Sequence, residues 1–156
     1  MTADVDSTTA PRTAAAPRAA RRTRLLGTLL AALGVLMAVS GIGTWAAVAQ
    51  GLAQEEITVS EGAPAFVGQP VVTPWAAFAQ SELIRADIAD MTGGQTYAEM
   101  EREDPMRQAV ATGTFLRSSL MVSVVAFGVA LALVGIGTGF VLGGLGLRSS
   151  AAHATA

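Results

Sequence analysis

Two stretches of this chain carry no ionisable side chain: Leu25 to Gln54, and Ser118 to Leu147, 30 residues each. A bilayer's hydrocarbon core takes roughly 20 residues of apolar helix, so either stretch is long enough to cross one. Two such runs in 156 residues leave too little other sequence to bury them as core helices. They predict transmembrane helices over about residues 25–49 and 118–147, with residues 50–117 between them. The expected fold class is an all-α membrane protein: a two-helix transmembrane hairpin with a small, mainly helical extracytoplasmic loop module.

Polar punctuation predicts elements inside the loop. Ile57–Val59 and Val67–Val72 have short strand-like character, interrupted by Gly62, Pro64, Gly68 and Pro70. Thr73 is a good N-cap and Pro74 suits the first helical position. That helix is expected through Met91 and to stop at Gly93-Gly94. Thr96 and Glu99 have capping-box spacing, which predicts a second short helix. Asp104-Pro105 reads as a third start, with the helix running on through Arg117 into the second span.

Both spans carry small residues at helical spacing. In the first, Gly27, Ala31, Gly34, Ala38 and Gly41 follow steps of four and three, placing them on one stripe. In the second, Gly135, Gly139 and Gly143 form a tandem GxxxG. Apolar side chains gain nothing from leaving lipid for one another, so close backbone approach at small residues is a main source of helix association. These eight positions are the expected helix-packing residues. The partner is the other span, a second copy or another membrane protein.

Charge changes the picture in two places. Arg12, Arg18, Arg21, Arg22 and Arg24 precede the first span, and no basic residue follows until Arg85. Basic residues stay cytoplasmic, so both termini are expected in the cytoplasm of a plasma-membrane protein. Trp45 near the far end of the first span suits an interface. Residues 1–24, rich in Thr, Ala and Pro, are expected to be a disordered tail touching anionic lipid. Residues 148–156 are expected to be a second cytoplasmic tail. The rival reading is signal-peptidase cleavage after Ala47-Val48-Ala49, against which stands an apolar run longer than a signal peptide's. The loop itself is acidic, with ten carboxylates against four Arg. The net charge of −2 points away from nucleic acid.

The chemistry-bearing residues are few. There is no Cys and one His, His153, in the C-terminal tail. A two-His facial triad or an ordinary zinc site is therefore out of reach of one chain. Asp87 with Asp90, and Glu99 with Glu103, are spaced to share helix faces and to meet a divalent cation, but a solvated acidic surface is the plainer reading. Gly135-x-Gly137-x-Gly139 lies inside an apolar run and has Phe140 where a nucleotide fingerprint needs glycine. Neither span holds the ionisable residue that proton translocation requires. No catalytic residue, metal ligand or cofactor is expected.

Several segments resemble a group of short actinobacterial two-span membrane proteins. They are Glu56–Ser60, Pro74-x-x-Ala77-Phe78-Ala79-Gln80, Gly93-Gly94-x-Thr96–Glu99, Asp104-Pro105, Phe115-Leu116-Arg117-x-Ser119-Leu120 and Val124–Ala130. The resemblance covers about residues 50–130. Proteins of this group are often labelled aromatic ring-opening dioxygenase, and the resemblance carries over no catalytic residue. In two-subunit dioxygenases the iron belongs to the large subunit, while the small subunit is soluble, unlike a chain with two apolar spans. The expected role is a non-enzymatic envelope or accessory protein acting through protein–protein contacts. The alternative is a non-catalytic subunit of a membrane enzyme complex.

Overall fold

The structure is a computed structural model that describes residues 16–153. It is helical throughout its named elements: α1, Ala16–Gln54; α2, Pro74–Thr92; and α3, Arg107–His153. Among the described residues α1 and α3 are long and apolar enough to cross a membrane. Two compact units divide the chain, with the described part of one at residues 16–38 and 136–153, and the other at Val39–Gly135.

Both long helices outrun their apolar cores. Residues 16–24, expected as disordered tail, already belong to α1. Pro17 sits in the first turn, where its missing N–H costs nothing, and Ala and Arg are strong helix formers. Expectations for residues 1–15 and 154–156 lie outside the described residues. At the other end α1 passes unbroken through Ala47-Val48-Ala49 to Gln54. Residues 148–153, expected as tail, extend α3, and the Ser149 and Ser150 hydroxyls both donate to the Gly146 carbonyl.

The first unit is a helix pair with an inverted burial pattern. Among its described side chains the buried residues are Ala20, Gly27, Gly34, Gly137, Gly144 and Ala151, none larger than alanine. Its leucines lie outside: Leu26 is 62% exposed, Leu29 66%, Leu36 63% and Leu142 65%. The helices run antiparallel, Gly27 facing Gly144 and Gly34 facing Gly137.

The second unit has a mixed core. Val59, Val71, Ala76, Ala77 and Leu120 are buried together, with Leu52, Ile57, Ile84 and Val124 packed against them. The strand-like segments meet in one antiparallel bridge, Thr58 with Pro70. Val59 N–H donates to the Gln69 carbonyl at 2.9 Å, and Val71 N–H to that of Ile57 at 2.8 Å. Prolines and glycines on both sides keep the pairing too short for a strand. Gln80 ties this pairing to α2, its Oε1 accepting from Ser60 N–H at 2.9 Å and its Nε2 donating to Ser60 Oγ at 3.2 Å.

α2 starts at Pro74 as expected and runs one residue past Met91, to Thr92. Thr73 Oγ1 accepts from Ala76 N–H at 3.3 Å, and Gly93 closes the helix at φ 61°, a left-handed conformation that glycine adopts cheaply. The second short helix does not form. Glu99 reaches back to Thr96 N–H at 2.8 Å, but residues 97–99 make only a turn. Half of a capping box cannot carry a helix when Asp104-Pro105 follows so closely. Asp104 Oδ1 accepts from Met106 N–H at 2.8 Å, and α3 starts at Arg107.

Candidate functional site

The small residues are the first place to look, because backbones meet there. A Cβ added at Gly34 would lie 2.5 Å from the Gly137 carbonyl oxygen, and one at Gly137 would lie 2.5 Å from that of Gly34. One at Gly27 would stand 2.7 Å from the Gly144 oxygen. Ala31 and Ala38 flank the seam, their amide nitrogens 2.7 Å from a Cβ at Gly144 and Gly137 respectively. Within the second unit, a Cβ at Gly41 would lie 2.6 Å from the Ala130 oxygen. The five expected α1 positions are therefore all brought to α3.

The α3 side differs from expectation. Gly135 and Gly139 have open space where a side chain would go, and Gly143 would only brush Leu30 at 3.7 Å. The residues shown against α1 are Ala130, Gly137 and Gly144, and with Ala151 they form a seven-residue repeat of buried positions. Ala20, Gly27, Gly34 and Gly41 repeat at the same interval on α1. On a 3.6-residue helix a seven-residue step drifts by only about 20°, whereas a four-residue step drifts by about 40°. A long contact between two helices therefore selects the seven-residue repeat. That repeat was available in the sequence but was masked by the more familiar GxxxG. Gly113 is a further close approach, since a Cβ there would stand 2.9 Å from Ile88 Cδ1 of α2.

Hydroxyls within the apolar stretches bond to their own helix. Thr28 Oγ1 donates to the Arg24 carbonyl and Thr44 Oγ1 to that of Ser40, both at 2.9 Å, and Ser123 Oγ donates to Ser119 at 3.2 Å. Such bonding satisfies polar groups without a partner helix or water.

The second unit presents a cleft of about 440 Å³ lined by Arg85, Ile88, Tyr97, Val110 and Arg117 together with the turn at Gly94–Ala98. Glu82 organises its cations. Arg85 Nε bonds its Oε2 at 3.0 Å, and Arg117 Nη2 lies 3.8 Å from Oε1. Arg117 Nε is buried without a hydrogen-bond partner. Arg107 stacks 4.1 Å over the Tyr97 ring and donates to the Met100 carbonyl, fixing the wall of the cleft. Sequence reasoning missed this cleft because it joins α2, the turn and α3 through contacts distant in sequence.

Asp87 and Asp90 stand three residues apart on α2 as expected, whereas the Glu99–Glu103 pair has no helix to share. Glu99 is engaged with Thr96 through both N–H and Oγ1, and these bonds hold its carboxyl below the usual range. Glu99 and Glu103 share no helix face, because no helix forms between α2 and α3. Among the described residues no three His, Cys, Asp or Glu side chains come together as a metal site would require. His153 is the last residue of α3. Comparison with protein-family models, curated proteins and solved structures found no match. The functional assignment rests on the chain's own geometry.

Proposed function

We propose that this chain is an integral protein of the plasma membrane with two spans and both termini in the cytoplasm. Its extracytoplasmic module docks another membrane or envelope protein, or a second copy, and performs no chemistry itself. The observation that carries the membrane reading is the inverted first unit. In water, a helix pair that buries glycine and exposes leucine would forfeit its main stabilising term. In lipid the leucines are solvated, and close backbone contact at glycine holds the helices together. Only 17% and 22% of the most apolar windows of α1 and α3 are buried, far from the enclosure of a soluble core helix. The orientation is supported by the Arg cluster at 12–24.

Docking is supported by the cleft, where two arginines and a tyrosine line a concave surface. These residue types concentrate binding energy at protein interfaces. Purification in mild detergent tests the reading. The parent chain should retain a stoichiometric non-enzymatic partner or its own copies, and Arg85→Ala or Tyr97→Ala should release them. A stoichiometric enzyme in that position would favour the subunit alternative. Iron in the isolated chain, with oxygen uptake on a catechol, would contradict both.

A further inference from the structure

The charge-free stretches are longer than a bilayer needs. From Leu25, twenty residue steps along α1 reach Trp45, about 30 Å of helix. From Leu147, twenty steps back along α3 reach Phe127, again about 30 Å. The antiparallel register that sets Gly27 against Gly144 and Gly41 against Ala130 brings the two counts out level, and the Trp45 and Phe127 rings stand there 4.7 Å apart at 60°. On the two-span reading this aromatic pair marks the outer edge of the hydrocarbon core.

Just beyond it lies an apolar groove of about 500 Å³. Its walls are Pro64, Phe66, Pro74, Trp75, Phe78 and Val124, and no charged residue lines it. Val124 belongs to the apolar stretch of α3, three residues from Phe127, hence about 4.5 Å further along the helix. A headgroup region adds roughly 5–7 Å on each side of the core, so the groove opens within it. Trp75 is 62% exposed, Phe78 48% and Phe66 41%. A soluble surface seldom gathers three large aromatic side chains around an uncharged groove. An aromatic ring at headgroup depth, by contrast, is favourably placed.

We propose that Phe66, Trp75 and Phe78 are immersed in the outer leaflet and that the groove holds a lipid acyl chain. The α2 end of the module is then anchored to the bilayer beside the spans, and the Arg85–Tyr97 cleft is held at a fixed position relative to the membrane surface. The inference rests on the two-span reading, and its test separates the two.

The chain has two tryptophans, Trp45 and Trp75. Trp45→Phe leaves only Trp75 to fluoresce, and Trp75→Phe leaves only Trp45. Each full-length variant is reconstituted into phosphatidylcholine–phosphatidylglycerol vesicles whose acyl chains are brominated at carbons near the headgroup. Both tryptophans should lose most of their emission relative to unbrominated vesicles, with Trp75 poorly reached by aqueous iodide. Quenching of Trp45 alone, with Trp75 open to iodide, would overturn the inference and leave the two spans standing. Loss of quenching at both would overturn the two-span reading as well. A third variant, Ala65→Glu, at a residue that also lines the groove between Pro64 and Phe66, should diminish Trp75 quenching and leave Trp45 unchanged. Unchanged Trp75 quenching there would overturn the acyl-chain assignment.

Discussion

The two compact units are built by opposite rules. In residues 16–38 and 136–153 the buried positions are glycine and alanine, and the large exposed apolar ones are leucine, valine and isoleucine. In Val39–Gly135 the buried set beyond the Trp45–Phe127 pair includes Val59, Val71 and Leu120, α2 is capped at both ends, and a glutamine clamps a turn. The second set of devices works in water, where apolar area seeks cover and free backbone groups at helix ends need partners. The first works where apolar area is already solvated. One chain therefore carries two burial rules, and their difference is the support for the proposal of a membrane protein with a module outside the lipid.

The largest test of this contrast is at the seam. Gly137→Leu forces a side chain onto the Gly34 carbonyl, which is backbone and cannot swing away. We expect a loss of about 3 kcal/mol, the upper end of overpacking costs, read as thermal stability in detergent. Gly139→Leu points into open space and should leave that stability within about 0.5 kcal/mol. Equal loss at both positions would dissolve the distinction between the two faces of α3. A change in cross-linking between copies at Gly139→Leu alone would assign the outward glycines to a neighbouring copy.

In the second unit, Gln80→Ala strands the Ser60 N–H, and a cost of about 1–2 kcal/mol is expected, visible as faster hydrogen exchange at Ser60 and Val59. Thr73→Ala removes the N-cap of α2 at a cost of about 1 kcal/mol, and Thr73→Ser should restore most of it.

What could be read from the sequence divides along the same line. The two apolar stretches, and the limits of α2 from Thr73 to Gly93, follow from local chemistry, because charge, caps and left-handed glycine act over a few residues. The helix after Thr96 did not, since its spacing was right but its length too short to repay nucleation. The glycines of α3 show a different failure. Gly135, Gly139 and Gly143 match a motif, but a motif does not state which face turns toward α1. The seven-residue repeat through Ala130, Gly137, Gly144 and Ala151 does, once paired with its counterpart on α1. The Arg85–Tyr97–Arg117 cleft and the aromatic groove join positions far apart in the chain, and no local pattern announces them.

The smallest expected effect is electrostatic. Glu99 is held below the ordinary carboxylate range first by the Thr96 N–H and then by the Thr96 hydroxyl. A carboxyl lowered in the folded state stabilises above its unfolded value, and that contribution is lost as pH falls through the lowered one. Acid should therefore loosen the 96–99 turn before it affects the seam, which has no carboxylate. Thr96→Val removes the hydroxyl and should raise the Glu99 titration toward the ordinary value, observed by NMR. An unchanged titration would mean that the side-chain bond contributes nothing.

The central claim is that water meets the module on one side of the membrane and the chain ends on the other. The sequence contains no cysteine, so single cysteines introduced at Ala10, Gln95 and Ala154 can be probed in intact cells with a membrane-impermeant maleimide. Labelling at position 95 without lysis, and at positions 10 and 154 only after lysis, is the predicted result. Protection at 95 in intact cells, or labelling at 10 from outside, would contradict the account.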